Sequence, residues 1–137
     1  MKIKGLDKAL KELKALDPKA KQGIIQSLEV AGVEAVEVMQ INTPVDLGKL
    51  RQGNSFVVNR DALKVTLFNN VPYAPFIEFG TGQRVEVPNE LKEIAIQFKG
   101  KKDIPFGIHP QPFLYPGLLK GRQVFLKQIQ LLVKSLK

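Results

Sequence analysis

The stretch SFVVNRDALKVTLFNN, residues 55–70, decides the fold class, because here the chain has the pattern of β-strands. Two short runs rich in valine and phenylalanine flank residues 59–62, which is typical of a β-hairpin. In the second run the side chains alternate between two faces, one carrying Leu63, Val65 and Leu67 and the other Lys64, Thr66 and Phe68. The alternation predicts a strand with one buried face.

Helical patterns lie on both sides of the hairpin. Before it, apolar side chains recur at helical spacing over residues 18–41, with Asp17 as an N-cap and Pro18 as the first helical residue. After it, a stripe of leucine, phenylalanine and isoleucine predicts a helix that begins near Pro116 and continues almost to the C-terminus. The sequence therefore predicts an α+β fold, in which a long N-terminal helix and a C-terminal helix pack on a small, mainly antiparallel β-sheet.

The length of the chain fits a single domain, residues 1–137. Residues 1–16 carry leucines at helical spacing and predict a short, peripheral N-terminal helix. The region 83–104 predicts a short strand over residues 83–87, a helix of about ten residues from Pro88 and an exposed basic loop. No run of about eighteen apolar residues occurs, so we expect no membrane span, and the N-terminus has lysines but no continuous apolar segment of a signal peptide, so we expect no export by this route.

The chain is strongly basic, with a formal net charge of +8, and it contains no cysteine. The absence of cysteine excludes disulfides and zinc-thiolate sites and fits a reducing compartment. No acidic residue occurs after Asp103. The C-terminal helix predicted there carries four cations, Lys120, Arg122, Lys127 and Lys134. They form either a solvated helix face or contacts to DNA or to an acidic protein surface, because polyanions attract clustered positive charge. The sequence leaves both interpretations open.

The stretch YAPFIEFGTG, residues 73–82, raises the question of catalysis, because its one acid, Glu78, lies between Ile77 and Phe79. General acid-base catalysis needs a second group, and none is marked nearby in the sequence. A buried carboxylate persists where it is paired or hydrogen-bonded, so we expect Glu78 to bind a cation or backbone amides. A contact at an interface and a catalytic role are the alternatives.

No other constellation indicates chemistry. The one histidine, His109, lacks the partners of a catalytic triad. The acidic residues are dispersed, so we expect no metal site. The run GTGQR, residues 80–84, lacks the lysine and the serine or threonine that end a phosphate-binding P-loop. We therefore expect no catalytic residue and no cofactor.

Three stretches, taken in order, carry a resemblance to a known family. They are TPVDLGKLRQG at residues 43–53, YAPFIEFGTG at 73–82 and HPQPFLYPGL at 109–118. Together they resemble the neck and tail-completion proteins of long-tailed double-stranded DNA bacteriophages, which are also described as head-tail joining proteins or tail components. The positions that match the family's motifs are Thr43, Pro44, Asp46, Gly48, Leu50, Arg51, Tyr73, Ala74, Pro75, Glu78, Phe79, Gly80, Thr81, Pro112, Phe113, Leu114 and Pro116.

The chain departs from the family pattern within these motifs. Leu47 stands where a threonine is usual, and Tyr115 and Gly117 stand where the third motif usually has arginine and alanine. If that arginine normally pairs with an acid, the pairing is lost or rerouted in this chain. The region 83–104 resembles an insertion relative to shorter members of the family.

The resemblance implies a structural protein of the virion neck rather than an enzyme, made in the cytoplasm of the bacterial host. It implies a homo-oligomeric ring, a hexamer or dodecamer on its template, around a channel through which double-stranded DNA passes. The implied partners are head-closure or connector proteins and tail-terminator or tail-tube proteins, without a membrane. The matching residues would form a structural and assembly motif. A basic DNA-binding module that acts as a monomer is the alternative, which the charged termini favour.

Overall fold

The computed structural model describes residues 18–45, 48–81, 87–95 and 107–135, together with residues 8, 11, 12 and 15, which are helical. The N-cap predicted at Asp17 lies outside the described residues. The elements in chain order are α1 (Pro18–Asn42), α2 (Gly48–Gln52), β1 (Asn54–Asn59), β2 (Lys64–Asn69), α3 (Ala74–Phe79), a 3-10 turn (Asn89–Leu91), α4 (Lys92–Ala95) and α5 (Leu114–Ser135). Two long helices accompany a two-stranded antiparallel sheet, which confirms the predicted fold class.

The hairpin of β1 and β2 has the two faces that the sequence predicts. Asn54 pairs with Asn69 at its open end, and Asn59 pairs with Lys64 at its turn. The inward side chains of the second run are buried or half-buried and the alternating ones are exposed. At the turn, Oδ1 of Asn59 accepts hydrogen bonds from the backbone amides of Asp61 and Ala62. This Asx turn orders the start of the four-residue loop locally, and Leu63 at the end of the loop, with a φ of 50°, is buried in the core.

The main core lies between α1, α5 and the inner face of the hairpin. The two long helices run antiparallel, since Gly23 lies near Leu132 at one end of the pair and Ala35 lies near Gly117 at the other. Burial of each large apolar side chain in this core contributes about 1.5–3 kcal/mol to stability. The buried members are Ala20, Ile24, Ile25, Leu28, Ala31, Leu63, Val124, Phe125 and Ile129.

The region 83–104 is described in part. The helix predicted from Pro88 is present as the 3-10 turn followed by α4, with Leu91 buried and Lys92 and Glu93 exposed. Of the strand predicted for residues 83–87, only Val87 is described, and it is not in a strand. The basic loop lies outside the described residues. No helix in the described part of the chain is long and apolar enough to cross a membrane.

Helix α5 starts earlier than the sequence predicted. The helix begins at Leu114, whereas the sequence predicted a start near Pro116. A helix starts where its first amides find acceptors, and a proline inside the first turn does not prevent this. Those acceptors come from a distant part of the chain.

Candidate functional site

The three stretches singled out in the sequence meet in one small apolar cluster. The first stretch contributes a leucine from α2, the second contributes side chains of α3, and the third contributes the residues at the start of α5. The buried members are Leu50, Val71, Ala74 and Phe113, and Ile77 and Leu114 pack against them. Residues far apart in the sequence therefore form one joint, which we call the three-way joint.

Glu78 lies at the polar side of the three-way joint and is 3% exposed. Its Oε2 accepts hydrogen bonds from the backbone amides of Phe113 and Leu114, each at 2.8 Å. Its Oε1 accepts one from the amide of Tyr115 at 2.9 Å. Glu78 thus binds backbone amides, which is one of the two partners that the sequence predicted for it.

The side chain of Glu78 acts as an N-cap of α5 that is supplied from another helix. The first four amides of an α-helix have no acceptor within the helix. Three of them, from Phe113 to Tyr115, donate to Glu78, and the fourth position is Pro116, which has no amide hydrogen. The positive end of the helix dipole also favours a carboxylate here. This arrangement explains why α5 begins at Leu114.

Backbone hydrogen bonds hold the second and third stretches side by side. The amide of Gln111 donates to the carbonyl of Ile77 at 2.8 Å, and the amide of Thr81 donates to the carbonyl of Ile108 at 3.0 Å. The Thr81 hydroxyl accepts from the amide of Ile108 at 2.8 Å. Between them Gly80 has a φ of 78°, which favours glycine and lets the chain leave α3 toward this segment.

A second polar group lies where α1 ends and the hairpin begins. The Thr43 hydroxyl donates to the carbonyl of Met39 at 2.6 Å and accepts from Nδ2 of Asn54 at 2.8 Å. Nδ2 of Asn69 donates to Oδ1 of Asn54 at 2.8 Å and to the carbonyl of Leu50 at 2.7 Å. Neither asparagine was predicted from the sequence. Their signal is that an asparagine begins the first strand and another ends the second, so that the two pair at the open end of the hairpin, at strand positions where asparagine is unusual.

Arg51 joins this group from α2, where its guanidinium donates to the carbonyl of Thr43 at 3.1 Å. Its Nε is buried without a hydrogen-bond partner among the described residues. Asp46 and Leu47 lie outside those residues. Pro44 is half-buried, and Gly48 has no atom within 4 Å of where a Cβ would lie.

The remaining residues of the second and third stretches have different environments. Tyr73 and Pro112 are exposed, and Pro75 lies in the first turn of α3. Phe79 is buried against Leu91, and the side chain of Tyr115 packs on this pair. Tyr115 therefore makes an apolar contact at the position where the resemblance leads one to expect an arginine, and no acid is needed to pair with it.

The departure at Gly117 also has a structural reason. A Cβ at this position would lie 2.8 Å from the carbonyl oxygen of Ala35 and against the side chain of Met39. One turn later, a Cβ on Gly121 would lie 3.1 Å from the Cβ of Ala35. The two glycines let α5 approach α1 closely, as small residues four apart do in other helix pairs.

The four cations predicted as one set are divided by the structure. Lys120, Lys127 and Lys134 are exposed and recur every seven residues, so they form one row along α5. Arg122 lies on another side of the helix, is half-buried, and has a buried Nε without a partner among the described residues. Among the described residues, no ion pair joins an acid to any of these four cations.

Both oxygens of Glu78 already accept hydrogen bonds from backbone amides and the side chain is buried, so this arrangement holds a helix end and exposes no carboxylate to a substrate. His109 is exposed. The described residues contain no group of three His, Cys, Asp or Glu side chains that could hold a metal ion. The geometry is that of a structural joint.

Residues 6–80 of the chain match the family model described as "Bacteriophage HK97-gp10, putative tail-component". The match covers more than half of the chain and includes α1, the hairpin and α3. It contains the first of the three stretches and the second up to Gly80, and the third lies beyond it. Neither a curated protein nor a solved structure matches the chain. The protein therefore belongs to the HK97-gp10-like family of bacteriophage tail components.

Proposed function

We propose that this protein is a tail-completion or head-tail joining component of the phage neck, which assembles into a ring around the DNA channel. The observation that carries the proposal is the family match across α1, the hairpin and α3. A tail component is a structural part of the virion. The neck is the more specific position, and it agrees with the resemblance of the three stretches to head-tail joining proteins.

The outer surfaces of the two long helices support assembly. Val33 and Ile41 of α1 are 49% and 79% exposed, and Leu119 of α5 is 41% exposed. Large apolar side chains that share an exposed helix face are available for contact with another protein. A contact between different patches of identical subunits closes into a ring when the rotation per subunit divides the circle. A hexamer or dodecamer formed on a template satisfies this condition.

The partners of the protein follow from the proposed position of its ring in the phage neck. Head-closure or connector proteins lie on one side of the ring, tail-terminator or tail-tube proteins lie on the other, and double-stranded DNA passes through it. The mechanism is geometric, because subunits bury surface against their neighbours and leave a channel. Neither catalysis nor a cofactor has a part in it.

The test is electron microscopy of particles from a phage that lacks this gene. We expect full heads and tails that are not joined, and joined particles when the gene is supplied from a plasmid. Normally joined particles in the absence of the gene product would overturn the proposal. Imaging the purified protein with its template tests the ring separately.

A monomeric DNA-binding module is the second candidate, which the lysine row on α5 favours. Such a module binds duplex DNA with an affinity that falls steeply with salt, because each neutralised phosphate releases counterions. A mobility-shift titration from low to high salt tests it, with Lys127→Gln expected to lower the salt dependence. Lys64→Gln, in the exposed face of the hairpin, is the matched control. Absence of any shift at low salt eliminates this candidate.

A further inference from the structure

The outer face of α5 combines apolar and basic side chains in regular rows. Leu119, Leu126 and Val133 recur every seven residues, and a lysine follows each of them directly in the sequence. These side chains are exposed apart from Leu126, which is half-buried. A seven-residue repeat of apolar residues is the pattern of a seam between two helices. We call this surface, Leu119, Lys120, Leu126, Lys127, Val133 and Lys134, the lysine face.

The outer face of α1 has the opposite charge. Its side chains recur at spacings of three and four residues, so they lie on one stripe. Four of them are exposed and Glu34 is half-buried. After Lys21, α1 contains three acidic residues and no basic one, whereas α5 contains four basic residues and no acidic one. We call this surface, Val30, Val33, Glu34, Glu37 and Ile41, the acidic face.

Neither the charges nor the apolar side chains of the two faces are used in the contact between α1 and α5 within one subunit. In the described part of the chain, no ion pair forms to Glu34 or Glu37 or to the lysines of α5. The contact between α1 and α5 within a subunit uses other sides of both helices, through Ala31, Ala35 and the two glycines. Each face is thus an apolar strip with a border of unpaired charge, and the two borders have opposite sign.

We propose that the lysine face of one subunit binds the acidic face of the next copy of the chain. This inference rests on the ring assembly proposed above and assigns its interface. Complementary charge selects the partner surface and its register, and the apolar strips supply the buried area. Because the two patches differ, the contact is head-to-tail, which is the kind that closes into a ring.

Contacts between two like faces are disfavoured by the same charges. Two lysine faces would bring three lysines of each subunit together, and two acidic faces would oppose glutamates. Like charges in contact cost free energy, so a symmetric dimer through either face is selected against. DNA is a poorer occupant of the lysine face, because phosphates do not cover the row of Leu119, Leu126 and Val133.

The contact is expected to be weak when a single pair of subunits forms it. A stable interface buries about 800 Å² on each partner, and two helix faces of about 20 Å in length, at 1.5 Å per residue, offer less. In a closed ring each subunit makes two such contacts, one through its lysine face and one through its acidic face. A template that holds the subunits close together strengthens the assembly in the same way, without any new surface. The protein is then monomeric when dilute and oligomeric on its template.

Cross-linking between introduced cysteines tests the interface, because the full-length chain has no cysteine of its own. Glu37→Cys and Lys127→Cys proteins are mixed at high concentration and treated with a short, flexible bismaleimide, which tolerates an unknown register. We expect the mixed product to exceed both single-variant products at least tenfold, and to decrease at high salt. Thr66→Cys, exposed on the hairpin, is the matched control and should give little product with either. Equal yields with Thr66→Cys, or a dominant Lys127→Cys homodimer, would overturn the assignment.

Charge exchange gives a second, independent readout. Glu37→Lys and Lys127→Glu should each reduce the fraction of assembled protein at least tenfold in sedimentation at high concentration. The combination of both substitutions in one chain should restore assembly, because each contact regains opposite charges. Thermal melting of each variant checks that the subunit still folds. Folded single variants that assemble normally, or a folded combination that does not recover, would contradict the interface.

The two proposals fail in distinguishable ways. If heads and tails do not join without the protein, but the cross-links and charge exchange give no support, the neck function stands and this interface is wrong. If the interface is supported but particles lacking the gene join normally, the interface stands and the neck function is wrong. If Lys127→Glu abolishes DNA binding and no mixed cross-link forms between Lys120→Cys and Glu37→Cys proteins, the lysine face serves DNA instead of a subunit.

Discussion

The ends of the two long helices and the surface between them are held by different physical means. At the start of α5 and the end of α1, single polar side chains from other elements bind the helix end: Glu78 accepts from three amides, Arg51 donates to the carbonyl of Thr43, and Asn54 donates to the Thr43 hydroxyl. Where the two helices face each other, Gly117 and Gly121 let them pack directly. Hydrogen bonds are directional and fix where a helix begins or ends, whereas packing fixes how close two helices lie.

The largest expected effect is at the end of α5. Glu78→Ala leaves three amides without an acceptor, one of them buried and two part-buried, and it should lower the free energy of unfolding by about 3–5 kcal/mol. Glu78→Gln keeps one acceptor oxygen and should cost less. Urea denaturation measures both, and Glu90→Ala in the exposed 3-10 turn is the control. An unfolding midpoint for Glu78→Ala equal to that of the control would refute the structural role of this carboxylate.

Packing between the two helices is tested at Gly117. Gly117→Ala places a methyl group against the carbonyl oxygen of Ala35, and this overpacking should cost about 1–3 kcal/mol. Gly48→Ala is the matched control, because no atom lies within 4 Å of the new Cβ. There we expect no loss, or a gain of up to about 1 kcal/mol from the lower backbone entropy of the unfolded chain. Similar melting temperatures for the two variants would show that the helices are not in close contact.

The end of α1 should be less sensitive than the end of α5. Thr43→Val removes the hydroxyl that donates to Met39 and accepts from Asn54, and it should cost about 1–2 kcal/mol. Thr66→Val makes the same chemical change at an exposed strand position, where we expect a change of less than about 0.5 kcal/mol. The difference between the two variants in urea isolates the buried hydrogen bonds. No difference would mean that water replaces them.

The smallest effect on folding is expected on the outer surface. Lys127→Gln and Glu37→Gln should each change the free energy of unfolding by less than about 0.5 kcal/mol, because both side chains are exposed and unpaired in the described chain. The same variants should weaken self-association. A large loss of stability in urea would mean that these side chains stabilise the folded subunit and do not serve contacts between subunits.

Local patterns predicted most of the secondary structure. Alternation at residues 63–68 predicted the buried side of β2, and helical spacing over residues 18–41 predicted α1 almost to its last residue. Such patterns depend on neighbours within a few positions, so a single sequence contains them. The start of α5 was predicted two residues late, because its cap comes from Glu78, thirty-five residues before Phe113.

The sequence predicted which residues belong to the candidate site better than it predicted how they contact one another. The three stretches were recognised as a set, and backbone amides were one of two expected partners for Glu78, but the choice between amides and a cation requires the tertiary fold. Asn54 and Asn69 were missed, since their role depends on the strand register. The cations of α5 were grouped by composition, and only helical spacing separates Arg122 from the lysine row.

The cap on α5 has a consequence for the order of folding. The amides of Phe113, Leu114 and Tyr115 are satisfied by a residue more than thirty positions earlier, so the first turn of α5 is complete only when α3 has docked. Formation of this contact closes a long loop, which slows folding relative to local helix growth. These three amides should then exchange with solvent deuterium only through global unfolding, and a helix terminus that usually frays becomes one of the best protected parts of the chain.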